Sequence, residues 1–208
     1  GGAKKAGHAS RRLAIDAMIR IEKGGAYANL MLPDMLAKSG LSDEDRRFVT
    51  QLVYGTTRMK RACDHLAQRF LLNPADDQVT AALRIGTFQM VYLNTPPHAA
   101  VDATVGAVTG GGSKVVNAVL RRVAEAPIDF PDEATRLSYP SWIVDQFLET
   151  LGPDLALDAL DAMNRPATTS TRDDGYIQDP ASQLVVETVG AKPGELVFDI
   201  CAAPGGKA

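Results

Sequence analysis

Across residues 1–124 the apolar side chains recur every three or four positions, and no stretch alternates apolar with polar. That period lines one face of a helix and rules out a sheet, so this half of the chain is expected to be a compact all-α bundle. The breakers divide it. Ser10 fits a helix N-cap, with Leu13, Ala14, Ala17, Met18 and Ile21 following and Gly24-Gly25 as the stop. Pro33 fits the first turn of a second helix that Gly40 closes. Ser42 caps a third, with Asp43, Glu44 and Asp45 in its first turn and Phe48, Val49, Leu52, Val53 and Thr56 on one face. Leu66, Phe70 and Leu71 mark a fourth, ended near Asn73-Pro74. Val79, Leu83, Phe88, Met90 and Val91 mark a fifth, which Thr95-Pro96-Pro97 breaks because neither proline can donate to the helix ladder. A short helix carries Val101, Val105 and Val108, with His98 in its first turn. After the turn at Gly110-Gly111-Gly112, with Ser113 as cap, a last helix runs from Val115 to Val123 and ends in Arg121-Arg122.

The net charge of −3 conceals an asymmetry. Residues 1–124 hold 17 Lys and Arg against 10 Asp and Glu, whereas residues 125–208 hold 5 against 15. A basic half before an acidic half points to two modules with different partners. The basic half is either a footprint for a polyanion, nucleic acid foremost, or an unevenly charged solvated surface. Arg11, Arg12, Arg121 and Arg122, with Lys4 and Lys5, are the candidate phosphate contacts; such contacts position a nucleic acid without reading its sequence. Two cysteines, Cys63 and Cys201, cannot build a disulfide framework, which points to a reducing, cytoplasmic setting. Residues 1–10 have no apolar core and are not expected to be a signal peptide, and no run reaches the ~18 apolar residues of a membrane span. His8, His65 and His98 share no ligand spacing with either cysteine, so no metal and no membrane are expected as partners.

Pro127, Pro131 and Pro140 punctuate a joint. Beyond it, a helix opens at Ser141-Trp142-Ile143, with Trp142 as its anchor, and another runs from Pro153 to Met163. Asp179-Pro180 starts a third, with Leu184, Val185 and Val189 on its buried face and Gly190 as its stop. Leu196-Val197-Phe198-Asp199-Ile200-Cys201 then reads as a buried strand, and it runs straight into the small-residue loop Ala202-Ala203-Pro204-Gly205-Gly206-Lys207. A buried strand entering a Gly-rich loop is how nucleotide-cofactor sites begin in doubly wound folds, because small residues let the backbone approach the ligand. The loop is not a P-loop: the positions where that motif needs Gly and Ser or Thr hold Cys201 and Ala208.

The string from Asp199 to Lys207 resembles the S-adenosylmethionine-binding motif of the RsmB/Sun family of RNA 5-cytosine methyltransferases, and Tyr176 to Gln183 is similar to the segment that precedes it. Asp45-Arg46-Arg47-Phe48, Leu52 to Thr56, Leu83 to Gln89 and Val116 to Arg122 resemble the NusB-like RNA-binding domain at the front of that family. Tyr139 to Trp142 is similar to the connector that follows it. The resemblance implies a NusB-like domain over residues 1–130, a helical connector over 131–172 and the start of an α/β, Rossmann-like methyltransferase domain over 173–208. It implies methyl transfer from S-adenosylmethionine to C5 of a cytosine in 16S rRNA or a small-subunit precursor, with the cofactor held by Cys201, Ala202, Ala203, Pro204, Gly205, Gly206 and Lys207. In that chemistry a cysteine adds to C6 of a flipped-out base so that C5 can attack the methyl sulfonium.

The family's Pro-Cys and Thr-Cys motifs are not in these residues, so no catalytic residue is assigned and the 208 residues alone are expected not to catalyse the transfer. Cys63 is expected to be a small core residue. Between Pro166 and Asp173 the family carries a longer subdomain, of which residues 168–172 would be the first strand. The alternative function is a non-catalytic NusB-type RNA-binding module in transcription antitermination or ribosome assembly. The Cys201–Lys207 loop speaks against it.

Overall fold

In the computed structural model, residues 2–25, 27–166, 168–200 and 202 are described, with side chains from residue 7 onward. They form eleven helices and no strand. The first is α1 (Gly2–Gly24), which starts well before Ser10. Ser10 caps nothing: it is fully buried, and its Oγ donates to Asp45 Oδ1 at 2.8 Å. The next is α2 (Ala28–Ala37), with Pro33 inside it and not in its first turn. The helix starts early because the Tyr27 carbonyl accepts from both Leu30 and Met31, and Pro33 forfeits a single ladder bond. Then come α3 (Asp43–Arg58), α4 (Lys60–Gln68), α5 (Asp77–Val91), α6 (Pro97–Val105) and α7 (Gly112–Glu125). Ser42 caps α3 as expected, accepting from Asp45 N at 3.2 Å, and Asp76 caps α5 from Val79 N at 2.8 Å. Ser113 does not cap α7, whose N-cap is Gly111.

Helices α1 and α3 run side by side in the same direction, with Ser10 against Asp45, Met18 against Thr57 and Glu22 against Lys60. Helix α5 lies antiparallel to α1, since Arg11 meets Gln89 and Lys23 meets Asp77. One core unites them, with Ile15, Met18, Val49, Leu52, Val53, Ile85 and Leu120 among its most buried members. Cys63 sits in that core, fully buried, as a small packing residue; burial first, and then the Asp64 charge, push its thiol far up. It is not a reactive thiolate.

A four-residue helix, α8 (Glu133–Arg136), has no counterpart in the sequence reading; Asp132 caps it by accepting from Thr135 N. It leads to the helical pair α9 (Ser141–Leu151) and α10 (Pro153–Met163). Ala134, Leu137, Val144 and Leu160 make a second, small core there. Trp142 does not anchor it: the ring is 70% exposed. The chain divides into two compact units, Gly1–Asn164 and Arg165–Ala208.

The second unit holds α11 (Pro180–Val189), which Asp179 caps by accepting from Ala181 N at 2.8 Å and Gly190 ends at φ +58°. Its expected buried face is not buried, for Leu184, Val185 and Val189 are all exposed. The expected strand over Leu196–Cys201 is not formed in its described part either. Residues 196–200 are irregular and exposed, Ile200 to 95%. A strand must pair its backbone with a neighbour and cover both faces, and the described residues offer it neither. Residues 168–172 likewise contribute only one bridge, between Thr171 and Ile177. The expected α/β start therefore has no sheet among the described residues.

Candidate nucleic-acid interface

Arg11 and Arg12 are neighbours in sequence but differ in surroundings. The Arg11 guanidinium lies over the Phe48 ring at 4.9 Å, its Nε donates to Gln89 Oε1 at 2.8 Å, and its Nη1 donates to Gly7 O at 3.0 Å. Gln89 is fully buried and passes the chain on, its Nε2 donating to Ile85 O and Thr104 Oγ1, each at 3.1 Å. Burial pulls the Arg11 pKa down, and the Asp45 charge only partly offsets it. Arg11 thus ties α1 to α3, α5 and α6. Arg12 is exposed, one turn from Asp16. Burial raises the Asp16 carboxyl, against the charges of Arg12 and Arg20.

This separates two roles. Arg11→Ala is expected to cost about 1.5–3 kcal/mol of stability, the range for a charged hydrogen bond left open. Arg12→Ala should leave the melting temperature unchanged. Thermal unfolding of both variants checks it, and equal melting temperatures would refute the separation.

Arg121 and Arg122 are also parted. Successive helical residues point about 100° apart. Arg121 faces the groove between α6 and α7, with His98, Asp102, Asn117 and Glu125, and its Nε donates to Asn117 Oδ1 at 3.2 Å. Arg122 faces a different groove, of about 680 Å³, beside Leu71, Pro74 and Val115. Asn117, half-buried in that groove, is thus a partner of Arg121. Gly111 and Gly112 of the glycine turn also line that second groove. Of the four arginines, Arg121 and Arg122 face different grooves, Arg11 is half-buried in the bundle and Arg12 is exposed. For Lys4 and Lys5 only the helical backbone is described.

The cofactor-loop residues Cys201, Ala203, Pro204, Gly205, Gly206 and Lys207 lie outside the described residues; Ala202 is exposed. The neighbouring residues 195–200 are irregular and exposed. Among the described residues no three His, Cys, Asp or Glu side chains could hold a metal, and no helix is long and apolar enough to cross a membrane. Sequence reasoning missed the buried Arg84, which donates from Nε and Nη2 to Asp64 and lies 3.5 Å from Glu22 through Nη1. An arginine on the buried face of α5 was the available signal.

The model of the NusB family matches residues 8–125, which is α1 through α7. The chain belongs to the NusB family. Its likeness to known proteins runs further than that domain. It is 29% identical over 259 aligned positions to a probable ribosomal RNA small subunit methyltransferase B of Bacillus subtilis, covering 95% of this chain and 58% of the relative. It is 32% identical over 232 positions to ribosomal RNA small subunit methyltransferase B of Thermus thermophilus, covering 95% of this chain and 56% of the relative. This NusB-family chain thus spans little more than half the length of these relatives. With 259 aligned positions against 208 residues, the Bacillus relative also carries residues inside the match that have no counterpart here.

Proposed function

We propose that this chain belongs to an S-adenosylmethionine-dependent methyltransferase that modifies C5 of a cytosine in 16S rRNA, within the cytoplasm. The NusB bundle, residues 1–130, would hold the RNA through Arg12, Arg121 and Arg122, with Arg11 fixing the helix that presents Arg12. Residues 131–172 would be the connector. Residues 173–208 would begin the catalytic domain, with Cys201, Ala202, Ala203, Pro204, Gly205, Gly206 and Lys207 against the methyl donor. The observation that carries this reading is the extent of the likeness. Proteins named for small-subunit rRNA methylation match 95% of the chain, well past residue 125 where the NusB match ends. S-adenosylmethionine would supply the electrophilic methyl group. The chain's own part would rest on glycine at positions 205 and 206, since a residue without a side chain lets a ligand come close to the backbone.

The bundle is fully formed while the described residues of 173–208 build no sheet. That contrast favours a second reading, an RNA-binding module without catalysis, in transcription antitermination or ribosome assembly. Methyl transfer decides between them. The protein as the cell makes it, given labelled S-adenosylmethionine and small-subunit rRNA, should yield 5-methylcytosine on digestion. Gly206→Val should lower incorporation about 100-fold or more by displacing the donor. Incorporation unchanged by that substitution would sink the cofactor assignment, and label on another base would sink the C5 assignment.

A further inference from the structure

Trp142 is the chain's only tryptophan, and the fold spends no effort covering it. Its position is nevertheless fixed. Arg61, at the start of α4, donates from Nη1 to Tyr139 O at 2.7 Å and from Nη1 and Nη2 to Ser141 Oγ at 3.2 and 3.3 Å. The Arg61 backbone N–H donates to Ser138 Oγ at 2.9 Å. The turn that presents Trp142 is therefore clamped to the bundle, so a solvent-facing ring stands on a rigid mount.

The surface beside that mount is basic. Along α3, Arg47, Gln51, Tyr54 and Arg58 recur at helical spacing on the face opposite the buried Val49, Leu52, Val53 and Thr56. Neither Arg47 nor Arg58 makes an ion pair among the described residues, unlike Lys60, which Glu22 holds at 2.7 Å. Arg58, at the end of this face, adjoins Thr57, which lines one groove with Arg61, Tyr139 and Pro140 of the mount. Acids stand there too: Asp132 lies 3.9 Å from Arg61, and Asp145 follows Trp142 by one turn. A protein surface covering Trp142 would want apolar neighbours around the ring. Near it in α9 stand Ser141, whose hydroxyl Arg61 holds, and Asp145 instead.

We propose that Trp142 and the arginine face of α3 bind unpaired RNA, the indole stacking on a base while Arg47 and Arg58 neutralise phosphates. Stacking demands a base free of its helix, which selects single strands over duplex. This rests on the rRNA reading above and adds to it a stacking residue on the connector helix, Trp142, outside the residues 8–125 that match the NusB family and hold Arg47 and Arg58.

The single indole makes the test direct. The 208-residue chain, excited at its tryptophan, is titrated with a single-stranded oligoribonucleotide of about ten nucleotides. Saturable quenching is expected, weakening as salt rises, and a duplex of the same sequence should not quench. By anisotropy of labelled RNA, Trp142→Ala should weaken binding about 5- to 100-fold, while Trp142→Phe keeps most of it. Arg58→Ala should lower the salt slope by about one. RNA that binds without changing Trp142 emission would overturn the stacking site and leave the rRNA reading standing. No RNA binding at low salt would overturn both. A blue-shifted emission with a dimer in sedimentation would assign Trp142 to a second copy of the chain and overturn the proposal.

Discussion

Gly55→Ala is expected to lower the melting temperature by about 5–10 °C, although alanine is the better helix former by about 1 kcal/mol. The reason is the crossing of α3 and α5. A β-carbon at Gly55 would stand 2.1 Å from Phe88 Cζ, 2.6 Å from Cε1 and 2.9 Å from Cε2. The ring has little room to yield. Phe88 is buried, and its ring stacks on Tyr92 at 5.5 Å between centroids. Overpacking of this kind costs about 1–3 kcal/mol and more where the neighbour is held, so the clash outweighs the propensity gain. Gly86→Ala should behave alike, because its β-carbon would meet Leu120 Cδ1 at 2.4 Å across the α5–α7 crossing. Two comparisons isolate the cause. Gly24→Ala, at the open end of α1 with nothing within 4 Å, should be neutral or stabilising. Phe88→Leu should restore part of what Gly55→Ala loses. A Gly55→Ala protein that melts no lower than its parent would mean that the two helices are not in this register.

That glycine shows where sequence reading stopped. The strings around Gly55 and Gly86 mark the family, but a string does not say which side chain lies across from it. Helices α3 to α7 were legible because their spacing, caps and prolines are local signals, as Ser42 and Thr95-Pro96-Pro97 illustrate. The start of α1 was not, since Ser10 suits an N-cap and a buried donor equally, and only Asp45 on another helix decides. Helix α8 is too short to show a period. Among the site residues, the arginine pairs could be found by charge, but Arg11 and Arg12 differ only through Phe48 and Gln89, which lie 37 and 78 positions away. Trp142 looked like an anchor because a tryptophan on an amphipathic helix usually is one. The run from Leu196 looked like a buried strand because apolar residues signal burial without specifying what covers them.

Asp64→Ala is the other change expected to act strongly, at about 3 kcal/mol, because it takes from a buried arginine the carboxylate that both Nε and Nη2 grip and leaves it only the longer contact to Glu22. Arg84 is 7% exposed, on the inner face of α5. Its Nε and Nη2 grip Asp64 of α4 at 2.6 and 2.9 Å, and its Nη1 lies 3.5 Å from Glu22 of α1, which Lys60 also holds. Burial alone would depress the Arg84 pKa, but Asp64 and Glu22 more than offset it and the net shift is upward. Arg84→Met with Asp64→Leu should destabilise far less than either truncation alone, since no charge is then left unpaired. The chain of ions also fixes a pH response. Burial pushes the Glu22 carboxyl up, Lys60 and Arg84 pull it down, and the net places it below the ordinary 4.5. A depressed acid stabilises the fold above its unfolded pKa, and that contribution fades as pH falls through the folded value. The melting temperature should therefore fall as pH drops below about 4.5, and Glu22→Gln should flatten the fall. Superimposable curves for the parent and Glu22→Gln would show that the three-helix ion chain does not set the acid limit of this bundle.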